Sequence, residues 1–317
     1  MKWKDALRKS LRRAGLLEPL TIRAHGFQRL RPHLHLAAPR HGDDSRQLVS
    51  QVCRHATLDS PTFRSWLDRL GEPWRAHRKL WELAFIAQAL HERGLLAPGR
   101  RGLGFAVGAE KLPALFAALG CSIVATDLPA DDDRRRPWAR TGQWVDSLEA
   151  LNAAGLCDPD AFRQRVVHRP VDMNHIPDDL RGFDFAWSTC SFEHCGSIEL
   201  GLRFLEAQMA CLRPGGVAVH TTEFNLSSNR GTRRRGACVV FRLCDLEAVC
   251  GRLTDAGHAV EPFDLDPGSH PLDRHVDEPP FRDADAGTGG TQVKHLRLAL
   301  YGYASTSIAL IIRKAGG

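Results

Sequence analysis

The chain has 317 residues, of which 43% are hydrophobic and 25% charged, a balance typical of a globular protein with a large core. It has no run of about 18 apolar residues and no apolar stretch behind its basic N-terminus, which argues against a membrane span and a secretory signal. The formal net charge is +6, but the arginines are scattered and lack the interleaved aromatic residues of a nucleic-acid platform. We therefore expect a cytoplasmic protein without a nucleic-acid partner. The sequence gives no indication of its oligomeric state.

Nine cysteines are present, an odd number, and none form a Cys-x-x-Cys pair. Several fall where a strand or helix would be buried, which favours reduced core cysteines over disulfides. The spacing of Cys190, His194 and Cys195 matches no common structural zinc site. We therefore expect that no metal is required.

The first 95 residues are predicted to be mostly helical. Apolar residues at helical spacing indicate a short helix near residues 3–11, and Ser60 indicates the start of a second. A longer helix is predicted over residues 72–94. We expect residues 1–95 to form a cap or lid over the domain that follows. Four of its side chains are expected to shape a substrate pocket: Trp74, His77, Arg78 and Trp81.

From residue 102 onward, short apolar runs alternate with helical segments. This pattern is typical of an α/β fold with a mostly parallel, Rossmann-like sheet and helices on both faces. The predicted strands are residues 102–105, 122–126, 165–167, 183–188, 217–222, 259–265 and 305–313. The predicted helices are residues 112–119, 144–154, 198–212 and 246–256. Residues 96–317 would form one domain with insertions at 224–240 and 266–294.

A glycine-rich loop follows the first predicted strand. Gly102, Gly104 and Gly108 allow close approach to the backbone before a helix, where free N–H groups bind anions. Asp127 lies nineteen residues after Gly108, at the end of the second strand, where a carboxylate binds ribose hydroxyls. Asp172 ends the third strand, and its carboxylate is expected to accept a hydrogen bond from an adenine amino group. The alternative for Asp127 is a carboxylate that caps the next loop, and the alternative for Asp172 is one that forms an Asx turn.

The stretches "FDFAWSTCSFEH" (183–194) and "LRPGGVAVHTTE" (212–223) resemble class I S-adenosylmethionine-dependent methyltransferases. The resemblance implies a seven-stranded sheet whose last strand is antiparallel, with S-adenosylmethionine across the carboxyl ends of the first four strands. It implies methyl transfer to a polar acceptor, with a hydroxyl of a small molecule or sugar preferred. An amine acceptor and a cofactor-binding module without catalysis remain alternatives. A nicotinamide dehydrogenase would need G-x-G-x-x-G, whereas this loop reads G-x-G-x-x-x-G.

The resemblance also assigns the cofactor residues. The methionine half would lie against Ala106 and Gly108, the ribose against Asp127 and Leu128, the adenine against Asp172 and Met173, and the amino-acid end against Ser188. The family usually has an acid where this chain has Gly104. Glu110 is the expected substitute.

Removal of a proton from the acceptor requires a base. His194 is the first candidate, because imidazole titrates near neutral pH. The further candidates at the same edge are Glu193, His220 and Glu223. The loop that begins at Glu223 carries further polar residues, and Asn225, Arg233 and Arg234 are expected to contact an acceptor that bears a phosphate or carboxylate. A solvated loop is the alternative.

Overall fold

The computed structural model describes residues 47–145, 147–279, 281 and 293–316. The helix expected near residues 3–11 lies outside the described residues. Within the described part, every helix is too short or too polar to cross a membrane.

Twelve strands form in the described residues. In chain order they are β1 Ser50–Val52, β2 Ala76–His77, β3 Arg101–Gly104, β4 Ser122–Asp127, β5 Val166–Pro170, β6 Phe183–Thr189, β7 Leu212–Asn225, β8 Ala259–Val260, β9 Phe263–Asp264, β10 Lys294–His295, β11 Leu298–Leu300 and β12 Tyr303–Arg313. Ten of them join one sheet, and β2 and β10 form a separate parallel pair.

The main sheet has the order β5-β4-β3-β6-β7-β12-β1-β9. The five strands from β5 to β7 are parallel, and β12 is antiparallel to β7. The chain runs outward from β3 to β5 and then returns to β6 on the other side of β3. This reversal opens a crevice at the carboxyl ends of β3 and β6, where open α/β sheets bind ligands.

Nine α-helices connect these strands. They are α1 His55–Leu58, α2 Pro61–Arg69, α3 Arg78–His91, α4 Leu112–Ala118, α5 Arg136–Arg140, α6 Pro159–Arg165, α7 Ile198–Ala207, α8 Leu243–Asp255 and α9 Pro271–Arg274, counted over the described residues. Side chains alternate along β6, so Phe185 and Trp187 pack with α3 and α4, while Ala186 packs with α7 and α8 on the opposite face. The expected fold class, with helices on both faces, is confirmed.

The expected number of seven strands is wrong. The N-terminal strand β1 pairs with β12, and β11 adds a hairpin to it. The predicted strand over residues 259–265 divides into β8 and β9, because Pro262 lacks the N–H group that would continue the ladder. β8 pairs with β12, whereas β9 pairs with β1.

Two of the predicted helices are wrong in extent. The helix expected from residue 72 begins at Arg78, because residues 76–77 pair with β10 and the His77 side chain accepts a hydrogen bond from the Lys79 N–H. The helix expected over 144–154 is reduced to a 3₁₀ turn at Glu149–Asn152 in the described residues. There the Asn152 side chain bonds both the N–H and the carbonyl of Cys157 and turns the chain.

The fifth predicted strand is longer than expected. β7 starts at Leu212 and absorbs the Arg-Pro-Gly-Gly turn as a register shift, since Phe183 pairs with Leu212 but Phe185 pairs with Val217. β7 continues through Asn225, so the insertion expected over residues 224–240 starts at residue 226 instead. The division of the chain at residue 95 stays a prediction. The described N-terminal part packs against the sheet through α3.

Candidate active site

A cavity of about 790 Å³ lies at the carboxyl ends of the parallel strands. The loops after β3, β4, β5 and β6 form its floor, and the start of α3 and residues 293–301 form its far wall. The volume lies within the range of small-molecule and cofactor sites. Twelve of the predicted site residues border this cavity. They are His77, Arg78, Ala106, Gly108, Glu110, Asp127, Leu128, Asp172, Met173, Glu193, His194 and Glu223.

Asp127 closes the loop after β3 onto the end of β4. Its carboxylate accepts hydrogen bonds from the N–H of Gly108 at 2.9 Å and the N–H of Leu128 at 2.7 Å. Burial raises the pKa of Asp127 to about 6, while the two backbone donors act against that rise. None of the described residues offers Asp127 a cation, so the carboxylate retains acceptor capacity toward hydroxyl groups in the cavity.

Asp172 and Asn174 form a polar corner after β5. Asp172 is ion-paired with Arg134 at 2.9 Å and accepts a hydrogen bond from the N–H of Asn174. The Asn174 amide donates to the carbonyl of Cys195, but its Oδ1 is buried without a hydrogen-bond partner. A buried acceptor of this kind fits an amino donor on a ligand. Met173 borders the same corner.

Gly104 does not border the cavity, which corrects the sequence prediction. A Cβ at Gly104 would lie 2.5 Å from the Trp187 ring, so no acidic side chain fits there. Instead, the Trp187 indole N–H donates to the Glu110 carboxylate at 2.7 Å and holds it at the cavity wall. Burial raises the pKa of Glu110 to about 7. The tryptophan that excludes an acid at position 104 therefore positions the expected substitute.

The glycine loop carries a left-handed residue that is not glycine. Ala106 has φ +47°, and Gly108 has φ +53°. A Cβ on Gly108 would lie 2.1 Å from the carbonyl oxygen of Gln143, which accepts a hydrogen bond from the Ala109 N–H. Gly108 is therefore required by a close backbone approach as well as by its conformation.

A buried network of charged groups forms the opposite half of the cavity. The Arg78 guanidinium pairs with Glu82 at 3.0 Å and with Glu223, and the Lys79 ammonium pairs with Glu82 at 3.1 Å. The Cys190 thiol donates to Glu82 at 3.1 Å. Glu82 is fully buried, and the two cations hold its pKa below the ordinary value despite that burial.

Glu193 and His194 lie between this network and the cavity. Glu193 accepts a hydrogen bond from the Thr222 hydroxyl at 2.9 Å, and burial raises its pKa to about 6. The His194 ring bonds through Nδ1 to the carbonyl of Ala237 at 2.6 Å, so Nδ1 carries the proton and Nε2 has a lone pair. Burial lowers the pKa of His194 to about 4, which keeps the ring neutral at physiological pH.

Two expected polar residues lie in the core instead of the cavity. Ser188 and His220 are opposite each other in β6 and β7, and the serine hydroxyl meets His220 Nδ1 at 2.8 Å. Both are fully buried, and Phe204 packs edge-on against the histidine ring. Burial lowers the pKa of His220 to about 3. His220 is therefore not a base, and Ser188 does not contact a cofactor.

Five expected substrate contacts are also wrong. Trp81 is fully buried on α3, and the Trp74 ring lies beneath the Arg64 guanidinium away from the cavity. Asn225 is buried and organises its own loop by donating to the carbonyl of Gly231. The two arginines of the loop are held by protein groups: Arg233 lies 4.1 Å over the Tyr301 ring, and Arg234 pairs with Glu199.

His77 was an expected pocket residue and borders the cavity, whereas Trp138 was not found from the sequence. His77 and His295 stack with ring centroids 4.6 Å apart, and the His295 Nδ1 lies 2.6 Å from the Asp277 carboxylate. Trp138 packs edge-on against the His194 ring at 4.8 Å. The β2–β10 pairing brings the first group together across more than 200 residues of chain, and no local pattern indicates it.

Cys190, Glu193 and Glu223 place potential ligand atoms within 4.8 Å of one another. Arg78 already pairs with Glu223 and donates to the Cys190 sulfur at 3.3 Å. A metal ion bound by these three residues would have to displace this buried guanidinium.

No family model and no curated protein matches the sequence. Solved structures do match the fold. The cyclase SpnF is 16% identical over 86% of this chain and 100% of its own, with a TM-score of 0.47. An S-adenosylmethionine-dependent methyltransferase from Methanosarcina mazei is 12% identical over 72% of this chain and 98% of its own, with a TM-score of 0.43. One from Mesorhizobium loti is 14% identical over 72% and 98%, with a TM-score of 0.40.

Proposed function

We propose that the protein is an S-adenosylmethionine-dependent methyltransferase that acts on a polar acceptor. The observation that carries the proposal is the placement of three acceptor groups in one cavity, each at the end of a different strand. Asp127 at the end of β4 suits ribose hydroxyls, and Glu110 after β3 suits the methionine ammonium. Asp172 and Asn174 after β5 suit an adenine amino group.

The residues present fit the cofactor in size and in chemistry. Asn174 Oδ1 is an orphaned acceptor, and Glu110 and Asp127 have no cation among the described residues. S-adenosylmethionine supplies an activated methyl group on a sulfonium. The protein must align the acceptor in line with that group and exclude water, and such orientation can contribute about 7–11 kcal/mol.

In this proposal, His194 or Glu193 removes the proton from the acceptor. Both residues border the cavity and are the remaining base candidates, His194 through Nε2 and Glu193 through its carboxylate. Glu223 is held by Arg78 and by the Ser305 hydroxyl at 3.0 Å, so it serves better as a support for Arg78 than as a base. A general base of this kind contributes roughly 10²–10⁴-fold.

The acceptor expected from the sequence was a hydroxyl of a small molecule or sugar, with an anionic group held by the loop arginines. The expectation of an anionic group loses its support, because Arg233 lies over the Tyr301 ring and Arg234 pairs with Glu199. Hydroxyl and amine acceptors both remain compatible with the cavity. The cytoplasmic location stays a prediction.

Titration calorimetry with S-adenosylmethionine and S-adenosylhomocysteine tests the proposal. We expect both to bind, and Asp127→Asn to weaken both by roughly 10- to 100-fold, since a charged hydrogen-bond partner is lost. Asp178→Asn is the matched control, because Asp178 is fully exposed and its ion pair is with the half-exposed Arg181.

The outcomes separate the candidate functions. Absence of binding would exclude a methyltransferase and a cofactor-binding module alike. Binding without formation of S-adenosylhomocysteine from any hydroxyl or amine substrate would favour the module. Tighter binding of NADH than of S-adenosylhomocysteine would favour the dehydrogenase.

A further inference from the structure

At the cavity wall, the basic side chains have ion-pair partners more often than the acidic side chains do. Six arginine and lysine side chains border it, and five of these form an ion pair with a carboxylate of the protein. The five are Arg75, Arg78, Lys79, Lys111 and Arg134. The sixth, Arg135, lies 4.4 Å over the Trp144 ring. The cavity therefore offers few cations to a ligand.

The acidic side is different. Three carboxylates at the cavity wall have no basic partner at ion-pair distance among the described residues: Glu110, Asp127 and Glu193. Glu193 is only 1% exposed, and its hydrogen-bond partner is the neutral Thr222 hydroxyl. Arg78 and Lys79 act on it only from a longer distance, because both are held by Glu82. A buried carboxylate without a counter-cation is costly, and a cationic ligand relieves that cost.

The proposed cofactor accounts for two of the three groups. Asp127 ends β4 and Glu110 follows β3, whereas Glu193 follows β6. β3 lies between β4 and β6 in the sheet, so the strands that Asp127 and Glu193 follow are about 10 Å apart. Glu193 therefore stands beyond the nucleoside, on the side where the acceptor must enter.

We infer that Glu193 binds the ammonium group of a primary or secondary amine, which is the methyl acceptor. This inference rests on the proposed function. Trp138, Tyr301 and Leu300 border the same cavity and provide apolar surface for the rest of the acceptor. An anionic acceptor would instead meet Glu193 and Glu223, and among the described residues the cations nearest to them, Arg78 and Lys79, are already paired.

The methyl transfer balances in atoms and charge with Glu193 as the proton acceptor. The bound ammonium gives one proton to the Glu193 carboxylate, which leaves a neutral amine with a nitrogen lone pair. The nitrogen forms a bond to the methyl carbon as the carbon–sulfur bond breaks. The electron pair of that bond stays on sulfur, and S-adenosylhomocysteine and a methylated ammonium result. The proton on Glu193 then passes to water.

The test compares matched amines and alcohols in the complex with S-adenosylhomocysteine. The amines are benzylamine, phenethylamine and tryptamine, and the neutral partners are benzyl alcohol, phenethyl alcohol and tryptophol. By calorimetric titration we expect the best amine to bind at least about 10-fold tighter than its alcohol. Glu193→Gln should reduce the amine affinity to that of the alcohol and leave the alcohol unchanged. Glu193→Asp, which keeps the charge, should retain a preference for the amine.

The control is Glu199→Gln, because Glu199 is an exposed residue of α7 that pairs with Arg234. It should leave all affinities unchanged. Equal binding of amine and alcohol, no binding of any amine, or an unchanged amine affinity in Glu193→Gln would each overturn the inference while the proposed function stands. Failure of S-adenosylhomocysteine to bind would overturn the proposed function, and this inference with it.

Discussion

The two halves of the cavity are built in different ways. In the half at β3 and β4, the backbone N–H groups of Gly108 and Leu128, which follow these two strands, bond to a single carboxylate, Asp127. In the half at β6 and β7, side chains from α3, β7 and the turn after β6 form one buried charge network around Arg78. The first half depends on local conformation and the second on contacts between distant segments.

The two halves of the cavity are therefore expected to tolerate different substitutions. A backbone donor survives most substitutions of its own side chain, so the loop depends mainly on its glycine positions. A buried ion network instead leaves a charge unpaired when any member is removed. We therefore expect the half around Arg78 to determine stability and the half around Asp127 to determine cofactor affinity.

The largest effect should follow Arg78→Met. The Arg78 side chain is 10% exposed and pairs with Glu82 and Glu223, which are 0% and 5% exposed. Removal of the guanidinium leaves Glu223 without its cation and Glu82 with Lys79 alone, at an expected cost of about 3–5 kcal/mol in the free energy of unfolding. Urea denaturation measures this.

Arg134→Met is the matched control. Arg134 also pairs with two carboxylates, Asp132 and Asp172, but its side chain is half exposed. The expected loss of stability is below about 1 kcal/mol. Equal losses in the two variants would show that burial does not distinguish the two ion pairs.

A smaller effect concerns the pH dependence of cofactor binding. Burial raises the pKa of Glu110 from 4.5 to about 7, so the group is protonated in the free protein below that pH. An ammonium ligand requires the ionised carboxylate, so affinity for S-adenosylmethionine should rise as the pH increases from 5 to 8, by at most about 10-fold per unit.

The free energy of unfolding should depend on pH in the opposite direction and fall as the pH rises. The contribution of this group is complete below pH 4.5 and is lost as the pH rises through about 7.

Two variants locate the titrating group. Glu110→Gln should remove the upper part of the pH dependence and weaken binding at pH 8 by roughly 10-fold. Trp187→Phe keeps an aromatic side chain on β6 but removes the indole N–H that donates to Glu110. It should shift the titration to higher pH. An unchanged profile in both variants would mean that Glu110 does not hold the ammonium.

The sequence predicted the local half of the site better than the other half. Asp127 follows a strand and a glycine loop at a recognisable spacing, and the sheet fold follows from alternating patterns. To predict that Trp187 excludes an acid at position 104, one must know the register between β3 and β6. The position of α3 on the sheet decides that Trp81 faces the core and that Arg78 faces the cavity. These pairings are between distant residues, and a single sequence does not contain them.

The smallest expected effect is a gain of stability from Ala106→Gly. The ends of β3 and β6 each carry a non-glycine residue in the left-handed region, Ala106 at φ +47° and Cys190 at φ +44°. Glycine at position 106 relieves about 1–2 kcal/mol of backbone strain and adds chain entropy to the unfolded state, which leaves a net gain of about 0.5 kcal/mol. Cys190→Gly relieves similar strain but loses the hydrogen bond to Glu82 and the contact with Arg78, so it should destabilise the protein. Urea denaturation of both variants measures the contrast. A gain in both would show that the Cys190 side chain does not support the charge network, and a loss in both would show that the Ala106 methyl group stabilises the loop.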